Sequence, residues 1–431
     1  MEAASRRAAA SIWRPWVAIA LVLVMANPAG AYSVLSHEAI IDALWAVALK
    51  PVLLARFPHA TPEQLKEAHS YAYGGAIIQD EGYYPHGNGY FSDLTHYARS
   101  GDFIAALISE SQTLDEYAFA LGALSHYASD NVGHRTATNI GEPLVYPNLQ
   151  RKFGKVVTYE DNPTDHLRTE YAFDVEQVAT GHYASQAYHD FIGFNVAKDL
   201  LQRVFRETYG FPVEDMFDDF DKAIGSYRHA LSTLVPFFTR VAWAEHEKDI
   251  LKAQPTMTRK QFLYVMSRSS YEREWGKKYD RPTTKDRFVA FLVKLLPPVG
   301  RVRVLKFKPL TPAVEQLFMK SFDAGSKQYR AELHQASEHA LKLENTNFDV
   351  GVITQAGDYK LQDQTYAYWL DELAKHNFTD VTPAVRTEIL NYYGDLDAPI
   401  DTKKNPKDWQ KVLTQLGDLK RASLGGLKTA P

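Results

Sequence analysis

The chain has 431 residues, 45% of them hydrophobic and 23% charged, a globular composition with length enough for two compact units. Its formal charge of −4 leaves no overall basic footprint, which argues against duplex nucleic acid as a partner. It has no cysteine, so disulfides, thiolate zinc sites and a cysteine nucleophile are excluded; any metal must be held by His, Asp, Glu or backbone atoms, and fifteen histidines are at hand.

In chain order, residues 1–31 read as an export signal. Arg6, Arg7 and Arg14 form a positive start, residues 16–26 are apolar, and Ala29-Gly30-Ala31 is a small-residue cleavage site. The apolar run is short for a membrane span and ends at Asn27-Pro28, which favours cleavage over anchoring. Ser5-Arg6-Arg7 weakly resembles a twin-arginine signal. Removing residues 1–31 takes away Glu2 and three arginines, leaves a more acidic chain and makes Tyr32 its N-terminus. The expected location is the periplasm or the cell exterior.

Apolar residues at helical spacing (Ile40, Ile41, Leu44, Trp45, Ala48, Leu49) predict a helix over residues 36–57. Thr61-Pro62 starts a second, over 63–71. Residues 83–92, rich in Gly, Pro and Tyr, read as a loop. Helical spacing returns at 103–107 and 114–130, and residues 140–163, with their Pro, Gly and Asn, read as a long loop. Helices are expected over 165–252, 312–343 and 362–376, with a charged linker at 395–408 before a last short helix. No alternating strand pattern of useful length occurs, so the predicted class is all-α. A polar, basic stretch at 256–284 divides the mature chain into 32–255 and a helical C-terminal extension, 256–431, whose role the sequence does not give. Within it, residues 288–308 are apolar and laced with Lys294, Arg301, Arg303, Lys306 and Lys308. They read either as an interfacial segment making peripheral membrane contact or as a core helix broken at Pro297-Pro298; the core reading is preferred because exposed apolar patches are rare.

The chemistry concentrates in LGALSHYASDNVGH, where His126, Asp130 and His134 stand at i, i+4 and i+8 on one helix face. Two imidazoles and a carboxylate amid Leu121, Leu124 and Val132 suit zinc, because buried polar groups need partners and a metal can serve them all. His166 and Glu170 repeat the i,i+4 spacing, which alone fits an ordinary surface pair. Asp80 ends the apolar run GGAIIQD, His96 follows in DLTHYA, and His37 lies five residues after Tyr32. Tyr83, Tyr84, His86 and Tyr90 either line a substrate mouth or pack a glycine-rich loop. His59, His69, His182, His189, His229, His246, His334, His339 and His376 have no supporting constellation and read as core or surface residues.

The ordered set His37, Asp80, His96, His126, Asp130, His134, His166 and Glu170 resembles the zinc-dependent phospholipase C family. That family includes phosphatidylcholine-hydrolysing bacterial enzymes and the catalytic domain of glycosylphosphatidylinositol-specific phospholipase D; fungal single-strand nucleases share its fold. The resemblance implies an all-helical domain holding three Zn2+ ions. Asp80, His96 and His126 would hold one, and Asp130 would bridge it to a second held by His37 and the α-amino and carbonyl groups of Tyr32. His134, His166 and Glu170 would hold the third. Cleavage before Tyr32 would therefore create a ligand, with an amine of unperturbed pKa near ~8. The chain departs from the pattern at Tyr32, where the phospholipases and nucleases have Trp. It also departs at Glu81, where the phosphatidylcholine enzymes carry a choline-contacting Tyr, so the resemblance does not extend to headgroup choice. The four-residue step from Asp130 to His134 is that of the glycosylphosphatidylinositol-directed branch.

The implied activity is hydrolysis of a phosphodiester, from a phospholipid or another donor, with Asp80 as ligand and general base. A single-strand nuclease, or a zinc-binding envelope module without turnover, are the alternatives. Acidity of the mature chain weighs against the nuclease. Oligomeric state is not legible in the sequence.

Overall fold

The computed structural model describes residues 34–179, 194–235, 237–239, 241–242 and 306–422. The export signal, Tyr32, the 256–284 stretch, residues 288–305, and His182, His189 and His246 lie outside the described residues. Among the described residues the protein is helical, and the one β-type pairing is an isolated bridge between Asn347 and Val352.

The first predicted helix forms as α1 (Val34–Leu44), a π-turn and α2 (Lys50–Arg56). α3 (Pro62–Gly75) begins as expected, with Pro62 in its first turn and a capping box in which the Thr61 hydroxyl and the Gln64 side chain exchange hydrogen bonds with each other's backbone. A 3-10 turn over Ile78–Tyr83 follows, and then α4 (Gly89–Tyr97). The loop predicted over 83–92 is therefore shorter, because Asn88 caps α4 by accepting the Tyr90 amide at 2.9 Å. α5 (Ser100–Glu110) leads to α6 (Leu114–Gly133), the central helix, buried from Tyr117 onward.

Residues 140–163 correct the sequence reading. Instead of a long loop they hold α7 (Asn139–Val145) and α8 (Pro147–Phe153). Pro147 sits in the first turn of α8, where no amide is required. Pro143 lies inside α7 and leaves the Asn139 carbonyl without its helical donor; the Val157 amide replaces it at 2.9 Å. Proline is tolerated here because the orphaned acceptor is served from outside the helix.

Next come α9 (Pro163–Ala179), α10 (Lys198–Tyr209) and α11 (Phe220–His229). After the undescribed stretch come α12 (Pro312–Ser337), α13 (Lys360–Lys375), α14 (Pro383–Tyr392) and α15 (Pro406–Arg421). α6 is packed between α3 on one side and α12 on another. The α3–α6 crossing is close enough to demand glycine: a Cβ on Gly122 would lie 2.1 Å from the Ala72 carbonyl oxygen. One apolar core runs from Leu35 to Leu419, taking in residues on both sides of the undescribed stretch. No helix among the described residues is long and apolar enough to cross a membrane.

Candidate metal centre

The i, i+4, i+8 face of α6 and the π-turn after it carries His126, Asp130 and His134, all buried. The close α3–α6 crossing brings the end of α3 beside His126, whose Nδ1 donates to the Ala76 carbonyl at 2.9 Å. α1 delivers His37, the 3-10 turn Asp80, and the end of α4 His96. Around Asp130, His37 Nε2 lies 3.3 Å from Oδ1, while His126 Nε2 and His96 Nε2 lie 3.1 Å and 3.7 Å from Oδ2. Asp80 Oδ1 is 3.5 Å from His96 Nε2 and 4.0 Å from His126 Nε2. Two ligand groups result, His37–His126–Asp130 and Asp80–His96–His126, sharing one imidazole.

A third group, His134–His166–Glu170, forms where α9 packs against the π-turn after α6. Glu170 Oε1 stands 3.2 Å from both His134 Nε2 and His166 Nε2. The Thr138 hydroxyl donates to the same oxygen at 3.1 Å. The pair that looked like a surface salt bridge in the sequence is thus fully buried and faces a third residue.

Hydrogen bonding on the outer side of each ring decides what points inward. His96 Nδ1 donates to the Ser92 carbonyl at 2.7 Å, as His126 Nδ1 does to Ala76. The Ser129 hydroxyl donates to the Ser125 carbonyl at 2.8 Å, so its oxygen accepts from His37 Nδ1 at 3.0 Å. Each neutral imidazole therefore presents an Nε2 lone pair to the carboxylates, and those of His96 and His126 are 3.5 Å apart. Lone pairs facing lone pairs repel unless a cation lies among them. Both Asp130 oxygens and both His166 ring nitrogens are buried and make no hydrogen bond among the described residues, which a coordinated metal would remedy. His and carboxylate donors without thiolate match zinc.

Without a cation, protons take its place. Burial pulls the His126 imidazole down, but Asp130 and Asp80 outweigh it and raise its pKa to about 9. For Asp130 burial acts upward and is overcome by His126 and His134, which hold the carboxyl well below its usual range. Burial dominates at Asp80 and lifts it to about 7 despite His126 and His96. At His166 burial is outweighed by Glu170, giving about 9.

Of the substrate candidates, Tyr84 is buried edge-on against Tyr227 at 5.2 Å, inside the core and away from solvent. Tyr83 is half-buried with its ring 6.3 Å from Tyr159, whose own ring meets His166 edge-on at 5.5 Å. His86 is exposed, with a left-handed φ of 65°. His69 is a core residue as expected, stacked on Trp45 at 3.8 Å. The sequence did not point to Phe348, Asp349, Glu142 or Asp93. Asp349 Oδ1 is 3.3 Å from His134 Nδ1, and Glu142 Oε2 is 3.7 Å from His166 Nδ1. Asp93, mostly withdrawn from water and near His96, is raised by burial to about 7. Glu142 was masked by the proline-rich stretch around it; Asp349 lies in NFDVG, which has no periodicity to flag it.

Against known families, residues 36–213 match the model described as zinc dependent phospholipase C. No curated protein and no solved structure matches the chain.

Proposed function

We propose, from the match of residues 36–213 to the zinc dependent phospholipase C model, that the protein is a member of that family and an exported phosphodiester hydrolase, of phospholipase C type, using three zinc ions. The observation that supports it most is the inward convergence of three Nε2 lone pairs on Asp80 and Asp130, each imidazole fixed by a hydrogen bond at its far nitrogen. Asp80, His96 and His126 would hold one ion. Asp130 would bridge to a second, held by His37 and by Tyr32 once the leader is removed. His134, His166 and Glu170 would hold the third. Zinc at these positions supplies Lewis-acid activation of water and screening of phosphate charge.

Within that arrangement the residues have separate tasks. Asp80 would be both ligand and general base, accepting a proton at its carboxylate oxygen and orienting the attacking water. Asp130 stays ionised and keeps His37, His96 and His126 turned inward. Tyr83 and Tyr159 offer an aromatic wall beside the third group, suited to a cationic headgroup. A phosphomonoester and an alcohol leave, diacylglycerol where the substrate is a phospholipid.

The test pairs metal analysis of the secreted, processed protein with release assays on phosphatidylcholine, phosphatidylethanolamine and phosphatidylinositol vesicles and on single-stranded DNA. Phosphomonoester release from a lipid, abolished by chelator and restored by zinc, is expected. Cleavage of DNA alone would reassign the protein to the nuclease branch. Zinc binding with no hydrolysis of either class would leave an envelope module.

A further inference from the structure

The loop between α12 and α13 lies outside the family-matched stretch, yet it reaches three of the metal-facing imidazoles. The Phe348 amide donates to the His96 carbonyl at 3.2 Å, and its ring lies 5.1 Å from His96 and 6.1 Å from His126. His134 Nδ1 meets two acceptors from this loop, the Phe348 carbonyl at 3.2 Å and Asp349 Oδ1 at 3.3 Å. Asp349 is itself held, with Oδ2 accepting from the phenols of Tyr97, at 2.8 Å, and Tyr359. Asn139 Nδ2 donates to its carbonyl at 2.6 Å. The loop is seated by Gly351, whose φ of 64° and approach to α6 both require glycine: a Cβ there would lie 2.1 Å from the Asn131 carbonyl oxygen.

Two acceptors on Nδ1 fix the proton there, so Nε2 of His134 is the lone pair facing Glu170. His96 and His126 are oriented by neutral backbone carbonyls and His37 by a hydroxyl, whereas His134 has a carboxylate behind it. A carboxylate on the outer nitrogen fixes the tautomer and makes the inner nitrogen a stronger donor. We propose that Asp349 is a positioning residue that sets metal affinity at the His134–His166–Glu170 group, so that the C-terminal segment is a working part of the metal centre. This rests on the reading of that group as a metal site.

The test uses the full processed chain and its Asp349→Asn variant, each equilibrated in chelator-buffered zinc and counted for bound ions, with cobalt(II) absorbance as an independent readout. Asparagine keeps the size and an acceptor oxygen but not the charge. The variant is expected to bind one ion about 10–100-fold more weakly, with the others unaltered and the metal-free melting temperature within a few degrees of wild type. Equal affinity for every ion overturns the proposal. Should Asp349→Asn not accumulate as folded protein, Tyr359→Phe removes one phenol donor to Asp349 and touches no ligand; a several-fold loss at the same ion supports the proposal, and no loss overturns it. His134→Ala identifies the ion concerned. If wild type holds no ion that His134→Ala removes, the metal reading itself fails, and the proposal with it.

Discussion

Asp130 faces His37 with one oxygen and His96 and His126 with the other, so a single carboxylate serves both halves of the paired site. Asp130→Ala should therefore lose both ions of the pair and keep the one at His134, with kcat/KM down by at least about 10²-fold; zinc counting alongside lipid hydrolysis checks this. Proton and metal compete for the same nitrogens, and the signs give a pH window. Asp80, raised to about 7, stabilises the metal-free fold below its unfolded value near ~4, and that contribution is lost as pH rises through 7. His126, raised to about 9, contributes fully below its unfolded value near ~6.5 and loses that contribution as pH rises through 9. The metal-free protein should thus weaken between pH 5 and 9 while zinc binding strengthens, so the zinc-induced rise in Tm should grow across that range. Melting curves with chelator and with zinc at four pH values would show it; a constant increment would contradict it.

At the level of helices, the i, i+4, i+8 pattern on α6 was legible because a helix turns a fixed spacing into a shared face, and that face supplies residues to all three groups that could hold a metal. The pair His166 and Glu170 shows the limit of such a pattern. Spacing alone fitted a solvent-exposed pair; its burial comes from the packing of α9 against α7, α1 and the π-turn after α6. Residues 140–163 misled for a different reason: Pro143 breaks a helix only if nothing else serves the carbonyl it orphans, and Val157 does. The α3–α6 crossing is the most exposed of these features to a single substitution. Gly122→Val should force the helices apart, lower stability by roughly the 1–3 kcal/mol of an overpacked core, and weaken zinc binding through His126, one turn further on. Thermal unfolding with and without chelator separates the two effects.

Among the described residues, stability rests on one continuous apolar core that encloses the three candidate metal groups, and a chain without cysteine has no disulfide to help. Reductant should leave the melting temperature unchanged, whereas a chelator should lower it by several degrees, in line with ligand linkage of about 2.7–4.1 kcal/mol for ions at a hundred to a thousand times their Kd. Calorimetric scans under the two conditions are the measurement. The C-terminal extension was read from the sequence as helical, and its role was not visible there. Asp349 and Phe348 act through tertiary contacts to residues more than two hundred positions earlier, and no local spacing encodes those. What the sequence carried was the inner set of donors; the layer that orients them is assembled by the fold.

The seating of residues 347–352 on the end of α6 also orders events in time. A chain emerging from the ribosome has all its side-chain donors once Glu170 is out, but the carboxylate behind His134 follows only after 179 further residues. On the proposed reading, a partly synthesised chain would be an unfinished cage, open to the wrong cation or none. Correct filling would then wait for the segment that carries Asp349, in whichever compartment the chain folds.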